Sequence, residues 1–343
     1  MQTFKRLLCA LLIFSVTFTG ISAALIVPFL NGEREQYQDR KLRQKIAGTI
    51  DCVVLGASQG NCAFVPEILD SKLGYNSYNL SSSLMPMHAR KFLLEKELSR
   101  NDIKTVIIEI SRNTLSRDAE KEHAEGDSRI VERLDSAQER FSYLCKYVSF
   151  DDWLNVYSRL FIDAINSIET VLTKGNKNVD YQLKGFYPQT KKGKSVSFEE
   201  AQKLHNTEKI SVDSYNETNI EQLTQIIDIC KSNNIRAIIT VVPLSDSFLW
   251  KCEGMDSFLE WCQNYSREHN CEFYDFNLLK SRYSLFDEEN SWTTDSTHMR
   301  CDSAKVFSAE FSNIIHKVDL NEDVSDLFYP SYKELLKDSP YNS

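Results

Sequence analysis

The sequence predicts an α/β fold with a mainly parallel sheet. Five short runs have the length and composition of strands, and the strongest of them are apolar throughout, as in strands covered on both faces: 52–56, 76–80, 105–110, 235–242 and 272–276. Amphipathic helical patterns lie between or after these runs: 65–73, 88–98, 219–230, 255–269 and 304–315. Strands that alternate with helices form βαβ units, so the sheet should be largely parallel.

Length and composition bound the class of protein. The chain has 343 residues, of which 42% are hydrophobic, with only 11 Gly and 7 Pro. It can therefore bury a sizeable core, and it is neither a disordered nor a collagen-like sequence. Lys and Arg total 40 against 49 Asp and Glu, a net charge of −9. This acidic balance argues against unaided binding to nucleic acid or anionic lipid, because both need a basic face.

The first thirty residues predict where the protein works. Residues 7–30 carry no charge and as a helix would rise about 36 Å, more than the roughly 30 Å hydrocarbon core of a bilayer. Lys5 and Arg6 precede the stretch, so the positive-inside rule places the short N-terminus in the cytoplasm and the body outside. The sequence thus predicts a cytoplasmic tip and single transmembrane anchor at 1–30, a juxtamembrane segment at 31–50 and an extracytoplasmic α/β domain at 51–343.

A cleaved secretion signal is the alternative interpretation of the same stretch. Ser22 and Ala24 are small residues that fit a cleavage site after Ala24. The uncleaved anchor is favoured, because the apolar run continues through 24–27 and is longer than the core of a signal peptide needs to be. Either interpretation exports the body of the protein.

The α/β pattern is interrupted at about 114–216, which predicts a helical insertion. A charged stretch is followed there by aromatic-rich helical patterns at 129–146 and 151–172. The chain also has nine scattered cysteines, one of them inside the apolar N-terminal stretch. An exported domain permits disulfides, and we expect one or two at most. No CxxC pair and no His/Cys cluster is present, so the sequence predicts neither a metal site nor a cofactor.

The first strand leads into the strongest candidate for chemistry. The sequence CVVLGASQ at 52–59 turns at Gly56 and presents Ser58 at the start of a predicted helix. Ligands collect beyond the carboxyl ends of parallel strands, and a helix N-terminus offers backbone N–H groups to negative charge. Gly-x-Ser is a weak signal by itself, because Ser is also a common helix N-cap.

A second motif strengthens this candidate. Asp295 and His298 follow the last strand and precede the final helix, and their spacing lets one short turn supply a carboxylate and an imidazole. A serine hydroxyl becomes a good nucleophile when an imidazole takes its proton and an acidic group orients that imidazole. Asp-x-x-His is frequent by chance, with an exposed loop as the alternative. The prediction therefore requires Ser58 and His298 to meet in the fold.

Together these motifs resemble the SGNH, or GDSL-like, hydrolase superfamily over about 50–112 and 217–316. The family's Gly-Asp-Ser block stands here as Gly-Ala-Ser at 56–58, and its C-terminal pair stands as Asp295 and His298. The resemblance implies a three-layer α/β/α, flavodoxin-like fold with a five-stranded sheet, and an insertion outside the family pattern.

Two further family blocks imply an oxyanion hole that includes the N–H of Ser58. The third block falls on Ser-Arg-Asn-Thr at 111–114, which makes Asn113 the implied side-chain donor. The second block falls near 79–83 and lacks its usual Gly, so a backbone N–H of Ser81 or Ser83 is the implied donor there.

The resemblance implies a serine esterase or O-acyltransferase with Ser58, His298 and Asp295 as its triad. With the anchor, the chain is also similar to an exported branch that includes the D-alanyl-lipoteichoic-acid biosynthesis D protein. That similarity implies an acylated glycan or polymer of the cell envelope as substrate, reached from the membrane, with water or a sugar hydroxyl as acyl acceptor. Fold does not fix function, and a non-catalytic, membrane-tethered binding or assembly protein is the alternative, because the second block lacks its Gly.

Other polar and aromatic residues have weaker claims on a site. Glu109, within the third strand, is expected either to brace the site through Arg112 or to reach solvent at the strand end. Trp292 could wall an acyl pocket, although packing under the turn is favoured. The remaining histidines are interpreted as surface residues: His88, His123, His205, His269 and His316.

Overall fold

The computed structural model describes residues 5–6, 9–17, 35–116, 124–160, 162, 183–193, 196–209, 211–293 and 296–342. The chain divides into two compact units. Unit 1 comprises Met1–Leu42 and Ser128–Tyr181, and unit 2 comprises Arg43–Asp127 and Gln182–Ser343, each taken here over its described residues. The predicted insertion is thus shared between the two units.

Unit 2 is built on a parallel five-stranded sheet. Its strands are β1 (Cys52–Leu55), β2 (Ser77–Asn79), β3 (Thr105–Glu109), β5 (Arg236–Val241) and β7 (Glu272–Asp275), in the order β2-β1-β3-β5-β7. All neighbouring pairs are parallel, which confirms the predicted fold class. A two-stranded parallel sheet pairs β4 (Glu208–Lys209) with β6 (Cys252–Glu253). These two strands are too short to produce a periodic signal in the sequence.

The helices have the following bounds: α1 (9–17), α2 (Glu35–Lys45), α3 (Ser58–Ala63), α4 (Pro66–Leu73), α5 (Met87–Leu98), α6 (Arg112–Ser116), α7 (Ala124–Arg133), α8 (Ala137–Tyr147), α9 (150–160), α10 (Phe198–Leu204), α11 (Glu217–Ser232), α12 (Asp246–Lys251), α13 (Met255–Glu268), α14 (Arg282–Leu285), α15 (Cys301–Asp319) and α16 (Tyr332–Lys337). Among the described residues, no helix combines the length and apolarity needed to cross a bilayer. The anchor predicted at 7–30 is described only at 9–17, so the remainder of that prediction lies outside the described residues.

The core of unit 2 lies on both sides of the sheet. Every residue of β1, β2 and β3 is buried. Phe64 packs edge-on against Phe307 and Phe311, with ring centroids 5.2 Å apart in both pairs. Helix α15 buries the face that its sequence pattern predicts: Ala304, Phe307, Phe311 and Ile314. These contacts fix α15 against the segment that follows α3, which carries Ser58.

Unit 1 shows where the insertion departs from its predicted helices. The single pattern at 129–146 is two helices, because α7 ends at Arg133 and α8 begins at Ala137. Ser136 caps α8: its hydroxyl accepts from the Glu139 N–H at 3.1 Å, and the Glu139 carboxylate accepts from the Ser136 N–H. Ser-x-x-Glu is a capping box, a start signal strong enough to divide a continuous helical pattern.

All nine cysteines belong to the described residues, and no two of them are joined by a disulfide. The structure therefore contains fewer bridges than the one or two allowed as a maximum from the sequence. Cys52, Cys230 and Cys262 are buried in the core, where loss of water raises the pKa of each thiol. They pack as small apolar side chains.

Candidate active site

A small cavity marks the point where the order of strands in the sheet reverses. The chain adds β2 on one side of β1 and then β3 and β5 on the other. In open α/β sheets, ligands bind at such a point, beyond the carboxyl ends of the strands. The cavity has a volume of about 130 Å³ and is lined by Ser58, Asn113 and His298. Three predicted site residues from three distant segments therefore face one space.

Ser58 is the first residue of α3 and follows β1 closely. Ala57 has an extended backbone, with φ −88° and ψ −153°, so the chain turns sharply from strand to helix just before Ser58. Ser58 is half-buried and lines the cavity. Backbone N–H groups at the start of a helix have no acceptor within the helix and can stabilise negative charge. The turn thus brings the Ser58 hydroxyl and the backbone N–H groups at the start of α3 to the same small cavity.

Glu109, the last residue of β3, is a fully buried carboxyl packed against this turn. Its Oε2 accepts a hydrogen bond from the Ala57 N–H at 2.8 Å, and the Gly60 N–H also bonds to the carboxyl. The Arg90 guanidinium donates to the backbone carbonyl of Glu109. Burial raises the pKa of Glu109, while Arg90, the two N–H groups and His298 act in the opposite direction. Glu109 therefore ties the Ser58 turn to the sheet and lies within the electrostatic reach of His298.

The Gly of the Gly-Ala-Ser turn is required by this close packing. A Cβ atom at Gly56 would lie 2.7 Å from Glu109 Oε2 and 2.9 Å from Glu109 Cβ. It would also lie 2.9 Å from Ser81 Oγ. These distances are well inside van der Waals contact, and any side chain at Gly56 would push Glu109 away from the turn.

His298 is held by a short loop that closes on itself. Trp292 and Met299 form an isolated antiparallel bridge at its base. The Thr293 N–H donates to the His298 carbonyl at 2.9 Å, and the Ser296 N–H donates to the Thr293 carbonyl at 3.0 Å. The backbone of His298 is thus fixed by hydrogen bonds within the loop.

The same loop contacts the Ser58 turn directly. Gln59 Nε2 donates to the Thr297 carbonyl at 3.4 Å. Thr297 Oγ1 lies 3.3 Å from His298 Nδ1, with donor and acceptor set by the imidazole tautomer. The residue after Ser58 is therefore bonded to the residue before His298, although the two segments lie near opposite ends of the sequence of unit 2.

Asp295, the predicted acidic member of the triad, lies outside the described residues. Its role in orienting His298 stays a prediction.

Asn113 lies in α6, just beyond β3, where its exposed side chain lines the cavity. The adjacent Arg112 forms an ion pair with Glu208, and its guanidinium carbon lies 5.3 Å from the centre of the Phe248 ring. Arg112 is thus engaged with Glu208, and Glu109 is fully buried. Both expectations for Glu109, a brace through Arg112 and exposure at the strand end, are wrong.

Ser81 does not supply the backbone donor that the family resemblance implies. The residue is buried, and its N–H donates to Asn79 Oδ1 at 3.1 Å. Asn side chains often bond the backbone two residues on, and this bond uses the N–H expected at the oxyanion hole. The loop after β2 reaches the cavity further along the chain, at 84–87.

The remaining candidates lie away from the cavity. His88 was predicted to be a surface residue, and this prediction is wrong. Its Nε2 lies 2.9 Å from Asp127 Oδ1, and both side chains are largely buried. His205 and His316 are exposed and His269 is half-buried against the Tyr265 ring, whereas His123 lies outside the described residues. Trp292 is buried against Phe286, which agrees with a packing role.

Apolar side chains form much of the cavity wall, and the sequence patterns do not single them out: Leu84, Met85, Pro86, Met87, Leu244, Phe248, Met255 and Phe258. Their position could have indicated some of them, because the loops after β2 and β5 follow the carboxyl ends of strands, where ligands bind in parallel sheets. Polar side chains complete the wall, Gln59, Arg112 and Asn219 among them. A larger open cavity of about 660 Å³ is lined around Tyr274 and Tyr329 and contains none of the predicted site residues.

Comparison with known proteins gives likeness at the level of structure alone. No protein family profile matches the sequence, and no curated protein matches it. A protein from Desulfitobacterium hafniense, named as lipolytic and of the G-D-S-L family, is 13% identical with a TM-score of 0.33, over 77% of this chain and 99% of the other. A protein from Bacteroides fragilis, named as an acylhydrolase, is 10% identical with a TM-score of 0.36, over 81% and 94%.

A third solved structure, from Streptococcus pneumoniae and named for platelet activating factor, is 12% identical with a TM-score of 0.38, over 86% of this chain and 99% of the other. Identity and TM-score are too low in all three for the likeness to assign a function. A function can therefore be proposed only from the residues around Ser58.

Proposed function

We propose that the chain is a membrane-anchored serine esterase or O-acyltransferase that acts on ester-linked acyl groups. One observation carries the proposal: Ser58, Asn113 and His298 line a single small cavity at the carboxyl edge of the sheet. A hydroxyl, an imidazole and an amide donor are the three group types that acyl transfer through a serine needs. Asp295 completes the proposed triad as the group that orients His298.

The proposed reaction has two halves. His298 accepts the proton of Ser58 Oγ, which attacks the ester carbonyl, and the Ser58 N–H with the Asn113 amide stabilises the oxyanion. The bond to the alcohol then breaks, and His298 gives the proton to the departing oxygen. In the second half His298 takes a proton from water or a sugar hydroxyl, whose oxygen attacks the acyl-serine carbonyl. The bond between the acyl carbon and Ser58 Oγ then breaks, His298 returns the proton to Oγ, and the free acid or the acylated sugar leaves.

The size of the cavity supports a short acyl group. Its volume is about 130 Å³, and an apolar cavity of about 150 Å³ in another protein holds one benzene molecule. Chains much longer than four carbons therefore exceed the space beside Ser58 unless they extend into solvent.

The proposed location follows from the N-terminal stretch. Residues 7–30 as an uncleaved anchor would hold the site outside the membrane, near acylated glycans or polymers of the envelope. The similarity to the branch that includes the D-alanyl-lipoteichoic-acid biosynthesis D protein belongs to this part of the proposal. Extraction of membranes with alkaline carbonate tests the anchor, because an anchored chain stays in the pellet.

Labelling with a serine-directed fluorophosphonate tests the enzyme. The parent chain should be labelled and should hydrolyse a short-chain aryl ester, whereas Ser58→Ala should lose both properties. Ser71→Ala is the matched control, since Ser71 is an exposed residue of α4 whose hydroxyl donates to the Ile68 carbonyl one turn earlier in the same helix. Equal labelling of the parent and Ser58→Ala would refute the proposal.

A non-catalytic binding protein is the second candidate, and one observation favours it. The Ser81 N–H is bonded to Asn79, so one of the two backbone N–H groups implied as second-block donor, those of Ser81 and Ser83, is already engaged. Loss of one such donor typically costs about 100- to 1000-fold in rate. If Ser58→Ala and the parent bind acylated glycan equally and neither hydrolyses ester, the binding protein is the better description.

The acceptor separates the two enzyme classes. With labelled acyl donor, an esterase releases free acid at the same rate when glycan is added. A transferase instead diverts label into the glycan.

A further inference from the structure

Unit 1 has an exposed apolar face on α8 and α9. On α8 and α9 four large side chains are more than half exposed: Phe141 at 60%, Phe150 at 81%, Leu154 at 77% and Tyr157 at 52%. In the described part of unit 2, Leu320 at 58% is the one large apolar side chain above half. Scattered exposed residues of this kind are ordinary, whereas a cluster marks an interaction surface.

Helix α9 is apolar on two different sides. Val156 and Leu160, four residues apart, are buried and form its inner side. Phe150, Leu154 and Tyr157 have the i, i+4, i+7 spacing of a second stripe, which is exposed. A surface helix that only covers a core needs the first stripe and not the second. Among the described residues of unit 1, none covers this outer stripe.

Trp153 joins this outer stripe to α8. Its ring packs against Phe150 and Phe141, with centroids 5.5 Å and 5.8 Å apart. Its indole N–H donates to the Val148 carbonyl at 3.2 Å. We call the set Phe141, Phe150, Trp153, Leu154 and Tyr157 the aromatic face. Trp and Tyr with apolar neighbours are the composition of surfaces that sit at the boundary between lipid and water.

Charge around the aromatic face is balanced. Over α8 and α9, three acidic residues match three basic residues: Glu139, Asp151 and Asp152 against Arg140, Lys146 and Arg159. A face without a basic excess gains nothing from anionic lipid. Its affinity would come from burying apolar area, so a zwitterionic bilayer suffices.

The chain connects the aromatic face closely to the proposed anchor. Four residues separate 7–30 from the start of α2 at Glu35, a distance of at most about 17 Å when fully extended. Asp39 of α2 forms a two-pronged ion pair with Arg133, at 3.1 and 3.2 Å, and both side chains are largely buried. Arg40 donates to the Leu134 carbonyl at 3.3 Å, just before α8. Helix α2, which follows the proposed anchor, is thus held to the end of α7 and to the segment just before α8, the first helix of the aromatic face.

We infer that the aromatic face lies in the interfacial layer of the same bilayer that holds the anchor, with Trp153 at the level of the lipid headgroups and upper acyl chains. The inference rests on the proposed membrane location. It adds a second membrane contact, which fixes the orientation of unit 1 on the bilayer rather than leaving it on a flexible tether.

Fluorescence quenching by brominated lipid tests this contact in the full chain. The protein is reconstituted in phosphatidylcholine nanodiscs whose acyl chains are either brominated or not. The parent should emit less in brominated nanodiscs, and Trp153→Phe should abolish that difference. Trp261→Phe, which removes a partly exposed tryptophan of unit 2, should leave the difference intact. Equal emission of the parent in both lipids would overturn the inference.

A second copy of the chain is the competing occupant of the aromatic face. Phe150→Ser with Leu154→Ser, measured in detergent by light scattering, would halve the particle mass if the face joined two protomers, and that result would also overturn the inference. Leu320→Ser is the matched control, because it makes the same change at an exposed leucine of unit 2. We expect no change of mass in either variant.

The two proposals fail in different ways. If alkaline carbonate releases the chain, the proposed anchor is refuted. The released chain can then be mixed with brominated vesicles, and quenching of Trp153 still tests whether the aromatic face contacts lipid. If the chain stays in the membrane pellet but shows no quenching, the proposed anchor stands and the membrane contact of the aromatic face is refuted.

Discussion

Glu109 Oε2 accepts a hydrogen bond from the backbone N–H of Ala57 at 2.8 Å, immediately before Ser58. The bond joins the end of β3 to the turn after β1, two strands that are neighbours in the sheet. A buried carboxyl is costly, and here it is offset by backbone donors and by Arg90. Glu109 is not among the residues that line the cavity, and we infer that it acts by positioning the Ser58 turn.

Replacement of Glu109 should separate this positioning role from simple stability. Glu109→Ala leaves the N–H groups of Ala57 and Gly60 without their acceptor, at a cost of about 1–3 kcal/mol for a buried donor. A turn displaced by about 1 Å costs on the order of 100-fold in rate, so kcat for ester hydrolysis should fall by that amount with a smaller change in KM. Glu109→Gln keeps an amide oxygen at the same place and should recover most of kcat.

Glu97 provides the control for a buried glutamate. Its carboxylate pairs with Arg43 at 2.6 Å and bonds Asn101, away from the cavity. Glu97→Ala should lower the melting temperature and leave kcat of the folded protein unchanged. If Glu109→Ala behaves in the same way, its role is structural and the positioning role is excluded.

Asn113 should matter for the transition state and little for folding. Its side chain is exposed on the cavity wall, so Asn113→Ala removes no buried contact. Loss of one oxyanion donor should lower kcat about 100- to 1000-fold, with KM close to that of the parent. Asn313→Ala, an exposed asparagine of α15, is the control. A parent-like kcat in Asn113→Ala would move the oxyanion hole elsewhere.

The cavity should select short acyl chains. Aryl esters of two to four carbons should react at least about tenfold faster than those of eight carbons, a difference of about 1.4 kcal/mol in the barrier. Phe248→Ala enlarges the cavity and should move the optimum to longer chains. Phe273→Ala, which enlarges the separate cavity near Tyr274, should not. A flat chain-length profile in the parent would show that the acyl group binds outside this space.

Asp275 should make the free energy of unfolding larger at acidic pH than at neutral pH. The residue is fully buried at the end of β7, and burial raises its pKa to about 6 although Tyr332, Asn277 and Arg282 oppose the rise. Because the folded state holds the proton more tightly than the unfolded state, this contribution is complete below about pH 4 and is lost as the pH rises through about 6. Relative to Asp275→Asn, the parent should lose roughly 2 kcal/mol of unfolding free energy between about pH 4 and about pH 7.

Urea unfolding of both proteins across that range measures the difference. Tyr332 donates to Asp275 Oδ2 at 2.6 Å, and the variant retains an oxygen for Asn277. Asp102→Asn, at an exposed aspartate, should show a nearly constant difference from the parent. A constant difference for Asp275→Asn as well would contradict the raised pKa.

The sequence alone determined the features that arise from local pattern. Strand and helix patterns come from residues close together in the chain, so all five strands of the main sheet lie within or overlap the five runs predicted as strands. The buried face of α15 is likewise the one that its sequence pattern predicts. Gly-Ala-Ser after a strand and Asp-x-x-His before a helix are also local patterns, and they identified Ser58 and His298 as candidate site residues.

Only the tertiary structure decided what lies against what. The contact of Glu109 with the Ser58 turn, the bond from the Ser81 N–H to Asn79 and the apolar cavity wall each follow from packing of elements that the chain order does not bring together. A spacing rule cannot tell whether a backbone N–H is already bonded. Nor can periodicity tell which of two apolar stripes on α9 faces the core, because burial depends on the neighbouring helices and not on the helix itself.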